Sequence, residues 1–277
     1  MTIVHERGHG IHFVRKGDSG RPTLLLHSTG VGSIQWLRFA RRLKDRVCFI
    51  PDFMNYPPSD SWQGEGPPDW RVDLEACRTL LLSQSEPVDI IGHSYGGHIA
   101  LHLAHDHPDR VRKMALHEPI AWGVFQDAGP AKMQQAFRSL RERFFPEPPL
   151  SVDVWLLKFV DYWNGDGAWA ALSEKRQQTW RDRFQKIHHE VRHLCFDPYT
   201  IGHWASITTP IRITVSEDAT PEEAEACALL ASHVPSVHCI PTPGGHLAPM
   251  THSAVVLPLL AEGIDAPLPQ RSQSTAP

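Results

Sequence analysis

One serine, one late histidine and a few carboxylates carry the chemistry that this sequence offers. Gly92-His93-Ser94-Tyr95-Gly96 has the G-x-S-x-G spacing that lifts a serine onto a sharp strand-to-helix turn. Glycine is needed at both ends because a side chain at either would clash in so tight a turn. A serine hydroxyl is a weak nucleophile until a base takes its proton. The base is expected on a loop after the last strand, where Gly244-Gly245-His246 stands. An imidazole in that role needs a carboxylate to hold its tautomer and stabilise its charged form. The chain order serine, acid, histidine points to the end of the apolar run 211–215, which Glu217 and Asp218 follow. Glu118, after the run 113–116, is the rival. Asp218 and Glu118 stay open as alternative acids, with Glu217 behind them. The oxyanion of an acyl-transfer intermediate needs backbone donors. The Tyr95 amide, next after the nucleophile, is one; the Thr29 amide, in the loop His27-Ser28-Thr29-Gly30, is the other. The set describes attack on an ester-like carbonyl, with water then cleaving an acyl-enzyme.

These residues sit far apart in the chain, so a scaffold must bring them together. Short apolar, β-branched or Leu-rich runs at 11–14, 23–26, 47–50, 88–91, 113–116, 211–215 and 237–240 read as strands. Helical spacing covers 72–82, 98–105 and 222–231. Strand–helix alternation implies an α/β fold with a mainly parallel central sheet and helices on both faces. The alternation fails at about 120–205, where the helix-like segments 131–144, 152–163 and 179–195 are rich in aromatics. This stretch is expected to be a helical cap inserted between two strands, over a core of 1–119 and 206–264. Trp122, Phe125 and Trp163 are the candidate substrate-binding side chains, with Phe159 and Trp169 beside them. Residues 265–277 read as a disordered tail.

These features resemble the α/β-hydrolase superfamily over residues 10–262. HSTGVGSIQW at 27–36 is similar to the family's oxyanion loop, with Thr29 in the donor position. PDFMNYPPSD at 51–60 resembles its "PD…G-x-G-x-S-D" loop, HPDRV at 107–111 the close of the helix behind the nucleophile, and PGGHLAPMTHSAVV at 243–256 its histidine segment. Ser28 stands where the family usually has Gly, and Pro57 and Pro58 where glycines are common. The Ser216-Glu217-Asp218 stretch lacks the usual spacing of the acid loop, and some members place their acid after the earlier strand. A serine nucleophile argues against the dehalogenase and epoxide-hydrolase branches. The resemblance implies no metal and no organic cofactor. FVDYWNGDGAWAAL at 159–172 resembles poorly characterised hydrolases of this superfamily, which fixes no substrate.

Two competing readings come from other classes. His189-Glu190-Val191-Arg192-His193 matches H-E-x-x-H, which on a helix would put two zinc-binding histidines on one face. The chain holds 18 histidines, so a chance match is expected, and Phe196 and Tyr199 occupy the spacings of the downstream extension. The segment is read as a solvated cap helix, and His102, His105 and His107 as polar helix-end residues. The other rival is a catalytically inactive member of the fold serving as a ligand receptor, against which the intact serine, histidine and acid argue. Carboxylester, thioester, lactone, amide and carbon–carbon bonds are all open as substrates. The 277 residues carry a net charge of −4 without a basic cluster, so no nucleic acid or anionic membrane is expected as partner. No apolar run reaches a membrane span and residues 1–10 are polar, so a cytoplasmic protein with a small-molecule substrate is expected. The five cysteines are scattered and odd in number, which predicts reduced thiols. Nothing in the sequence fixes the oligomeric state.

Overall fold

The computed structural model describes residues 2–63 and 65–266. Among them, eight strands form one sheet in the order β1-β2-β4-β3-β5-β6-β7-β8. The strands are β1 (Thr2–Glu6), β2 (His9–Lys16), β3 (Arg21–Leu26), β4 (Arg46–Pro51), β5 (Val88–His93), β6 (Val111–His117), β7 (Ile211–Ser216) and β8 (Val237–Thr242). β1 pairs antiparallel with β2, and β2 with β4; the pairings from β4 to β8 are parallel. The seven expected strands all form. β1 was not anticipated: only Val4 of its five residues is buried, and its Ile-Val pair is flanked by polar residues, so it lacks a continuous apolar run.

Parallel strands must be covered on both faces. Alternation in the central strands does this. Leu24, Leu26, Ile90, Met114 and Leu116 point to one side, and Leu25, Ile91 and Ala115 to the other. The first side receives α2 (Arg71–Leu82), α3 (Tyr95–Asp106) and α9 (Pro221–His233). The second receives α1 (Ile34–Ala40) and α11 (Ser253–Asp265), with α10 (Ala248–Thr251) leading into the latter. Asp265 closes α11 and pairs with Arg46, so the tail expected from residue 265 does not start there; residues 267–277 lie outside the described residues. All five cysteines are free.

Between β6 and β7 the described residues are helical or irregular: a 3-10 turn at Trp122–Gln126, then α4 (Ala131–Phe144), α5 (Val152–Asn164), α6 (Glu174–Asp182), α7 (Phe184–Cys195) and α8 (Ile201–Trp204). The single helix expected over 179–195 is two helices that break at Arg183. The break follows from burial. No residue of α6 is buried, whereas α7 buries Ile187, Val191 and Leu194, so the two follow different surfaces. No described helix is long and apolar enough to cross a membrane.

The sheet order carries a functional hint. The chain runs from β3 outward to β4, then crosses back over to β5, which makes the β3/β5 crevice the switch point where open α/β sheets bind ligands at their carboxyl ends.

Candidate active site

Ser94 lies one residue beyond β5, at the switch point. Its backbone has φ 55° and ψ −118°, a conformation that L-residues avoid and that persists only when neighbours enforce it. The neighbours are visible. A Cβ on Gly96 would stand 2.3 Å from the Leu26 carbonyl oxygen, and one on Gly92 would stand 2.9 Å from that of Gly96. The glycines therefore let α3 start directly against β3, and the serine is forced outward.

Strand register places the acid. His93 pairs with His117 across β5 and β6, and His117 with Thr214 across β6 and β7, so Ser94 and Glu118 leave the sheet side by side. Glu118 also has a positive φ of 42°. His246 arrives from the loop after β8. Its Nε2 is 2.9 Å from Ser94 Oγ and its Nδ1 2.6 Å from Glu118 Oε2. The second carboxylate oxygen of Glu118 accepts a hydrogen bond from the Ser216 amide at 2.7 Å. Burial alone would raise this carboxyl; the hydrogen bond to His246, the nearby His246 and His117 charges and the Ser216 amide outweigh it and hold it at about 2. It is therefore an anion aimed at the imidazole.

Asp218 does not occupy that position. Its side chain is exposed, and its amide donates to the Gly244 carbonyl, so it shapes the loop before His246 without reaching the ring. Glu217 is exposed as well, its amide closing onto Thr242. The reason is reach: β7 runs on to Ser216, and the turn that follows points both side chains to solvent.

A relay that sequence reasoning missed fixes the loops. Gln35 Oε1 accepts from the Ser28 amide at 2.9 Å, and its Nε2 donates to His93 Nδ1 at 2.8 Å. His93 Nε2 then donates to the His246 carbonyl at 2.8 Å. His93 is fully buried, and desolvation lowers its pKa well below the usual value, so it serves as a neutral strut. Ser216 Oγ pins the Gly245 carbonyl from the other side at 2.9 Å. His93 is the variable position of the G-x-S-x-G motif and Gln35 lies in α1, so no pattern flags either.

Thr29 and Tyr95 flank Ser94 from β3 and α3. Among the described residues, neither backbone amide has a hydrogen-bond acceptor. Thr29 and Ser94 line a cavity of about 190 Å³ with Trp122, Trp163, Phe159 and Leu194 in its walls. Phe125 does not reach it. Its ring packs on Phe137 within the core. Trp169 is likewise buried away from the cavity.

The cap closes on the imidazole. The Trp163 ring lies on the His246 ring with centroids 3.8 Å apart and planes 21° apart, and Trp122 runs parallel to Trp163 at 5.9 Å. Ser94 is 4% and His246 5% exposed.

Below the oxyanion loop lies a buried ionic cluster. Lys186 of α7 contacts Asp73 of α2 and lies 3.5 Å from Glu190. Asp73 accepts from Tyr95 Oη at 2.8 Å and from the Met54 amide at 2.8 Å. Tyr56 Oη donates to Glu190 at 3.1 Å and accepts from the Gly30 amide at 2.7 Å. Desolvation raises the Glu190 carboxyl to about 7, against the opposing pull of Lys186. The expectation that the H-E-x-x-H helix is solvated fails here: Lys186 and Glu190 are 2% and 1% exposed. His189 and His193 share no partner; His193 turns inward toward α3 instead.

The comparisons agree with this fold. A family model described as "Alpha/beta hydrolase family" matches residues 23–259. Lipase LipV of Mycobacterium tuberculosis is 33% identical over 113 residues, 39% of this chain and 41% of that protein. The 2-hydroxymuconate semialdehyde hydrolase of a Pseudomonas sp. is 32% identical over 107 residues, 35% of this chain and 36% of that protein. The match thus spans about two fifths of the length of these curated relatives. Among solved structures, epoxide hydrolase CorEH superposes with a TM-score of 0.72 at 17% identity, covering 95% of this chain and 98% of its own. Est816, described as an N-acyl homoserine lactone degrading enzyme, gives 0.67 at 18% identity, with 94% and 98% covered. At these identities the superpositions speak for the shared fold.

Proposed function

The chain belongs to the alpha/beta hydrolase family, and from that premise we propose that it is a serine hydrolase that cleaves an ester-like bond of a small molecule through an acyl-enzyme. The observation that supports this most is the continuous hydrogen-bonded line Ser94–His246–Glu118, at 2.9 and 2.6 Å. Ser94 Oγ attacks the substrate carbonyl while His246 Nε2 takes its proton. Glu118, held anionic, stabilises the imidazolium that forms. The Tyr95 and Thr29 amides, free of other acceptors, receive the oxyanion, and the positive end of α3 favours the same charge. His246 passes its proton to the leaving alcohol; water then attacks the acyl-enzyme, giving a proton to His246, which returns it to Ser94 Oγ as the acid is released.

Cavity size narrows the substrate. About 190 Å³ is below the range of sites built for drug-sized ligands, roughly 300–1,000 Å³. Apolar walls of that size suit an acyl group of a few carbons or a single ring. Two relatives fit an ester by name: the lipase, and a pimeloyl-[acyl-carrier protein] methyl ester esterase of Chromobacterium violaceum, 32% identical over 106 residues.

The test is a p-nitrophenyl ester series from acetate to decanoate, run with fluorophosphonate labelling. Short esters are expected to turn over fastest, and Ser94→Ala is expected to abolish both turnover and labelling. A wild-type protein that takes no label, or a Ser94→Ala protein that still turns over ester, would overturn the assignment.

A further inference from the structure

The cap meets the nucleophile helix through histidines. His98 and His102 stand one turn apart on α3, and His193 reaches them from α7. Their Nε2 atoms converge: His98 lies 2.9 Å from His193 and 3.2 Å from His102, and the three ligand atoms fall within 4.8 Å of one another. His98 and His102 are buried, and His193 is half-buried.

From this convergence we propose that His98, His102 and His193 form a binding site for a divalent transition-metal ion of the zinc class, one that clasps the cap to the nucleophile helix. Three observations carry it. First, the ligand spacing fits. Metal–nitrogen bonds of about 2.0–2.1 Å in a tetrahedron set nitrogens about 3.3 Å apart; the two close pairs, at 2.9 and 3.2 Å, need to spread by a few tenths of an ångström, and His102 and His193, within 4.8 Å of each other, need to close toward the same spacing. Second, the outer partners are in place. His98 Nδ1 is 2.9 Å from the Ile120 carbonyl, an acceptor, so the proton sits on Nδ1 and the lone pair on Nε2 faces the centre. Trp70 stacks flat on the His193 ring at 4.0 Å and packs against His102 at 4.9 Å, fixing both orientations. Third, hydrogen bonding alone accommodates the cluster poorly. A single in-plane lone pair on His98 would have to accept from two neighbouring rings at once, whereas a cation at the centre uses three lone pairs.

All-imidazole donors suit zinc, copper, nickel and cobalt in preference to magnesium or calcium. The ligands bring no negative charge, and Arg71 and Lys186 lie close enough to be felt at His193, so moderate affinity is expected. A water would complete the tetrahedron. The sequence motif that suggested a metal had one correct ligand: His193 binds with two residues of α3 instead of with His189. The site is separate from Ser94, yet α7 also supplies Val191 and Leu194 to the substrate cavity, so a bound ion would stiffen that wall.

Zinc is titrated by calorimetry into tag-free, chelator-stripped protein. One equivalent is expected to bind with micromolar or tighter Kd and to raise Tm. His102→Gln and His193→Gln are each expected to weaken binding by roughly a hundredfold or more, while His189→Gln leaves it unchanged. Cobalt loading of the wild type is expected to give the intense visible bands of four-coordination. Absence of stoichiometric zinc binding, loss of binding in His189→Gln instead, or a six-coordinate cobalt spectrum overturns the site. The cobalt result stands even where a variant fails to fold.

Discussion

Glu118 is the residue on which the chemistry of the site turns. It sits at φ 42° beside a serine at φ 55°, and both strained positions face one imidazole. Replacing it with Gln keeps the shape and removes the anion. Glu118→Gln is therefore expected to lower kcat by about 10³–10⁴, with little change in KM. Asp218→Asn is expected to change kcat by less than about threefold. Steady-state kinetics on both variants checks this, and equal losses would contradict the geometry. The placing of Ser94 and Tyr95 on one sharp turn was legible because the glycine spacing is dictated by that turn. The acid was left open because both β6 and β7 end at the same rim. Only the register His93–His117–Thr214 decides which carboxylate meets the ring, and register is not written in local sequence.

At the scale of elements, α7 deserves its own experiment because it carries charge into the interior. Lys186 neutralises Asp73, and both are essentially unexposed. Removing one partner leaves the other buried and uncompensated. Lys186→Met is expected to cost about 3–5 kcal/mol of stability. Lys186→Met combined with Asp73→Asn is expected to cost less than the sum of the single changes. Urea unfolding of the four proteins measures the difference, and strict additivity would show that the pair is not coupled. The helix was visible in the sequence as a period of apolar residues. Its charged positions read as a wet face because nothing local reveals that α2 and the Tyr56 loop present an anion and a phenol to meet them. The break at Arg183 was invisible for a related reason: both halves have helical propensity, and only the surfaces they follow differ.

For the whole molecule, the buried histidines set the response to acid. His27 is lowered to about 3, His98 and His117 to about 4, and His93 and His193 well below the usual value, in each case chiefly by desolvation. A histidine whose folded pKa is depressed binds fewer protons folded than unfolded. Its contribution is present above about 6.5 and is lost as pH falls toward the folded value, at up to about 1.4 kcal/mol per pH unit each. Glu190, raised to about 7, acts in the opposite sense between about 4.5 and 7 and offsets part of one such slope. Unfolding free energy measured in chelator is expected to fall steeply from pH 7 to pH 5, with net uptake of more than one proton. A flat profile would mean that these rings are hydrated. The parallel sheet and the helical stretch between β6 and β7 were readable from strand–helix alternation and its interruption. The histidine-lined seam between α3 and α7 was not, because it forms only when residues 95 positions apart in the chain meet.

Trp163 gives the molecule an optical property. Its indole lies flat on the His246 imidazole. A protonated imidazole in van der Waals contact quenches indole emission, whereas a neutral one does so far less. The brightness of that one tryptophan is therefore tied to the charge of the ring beneath it.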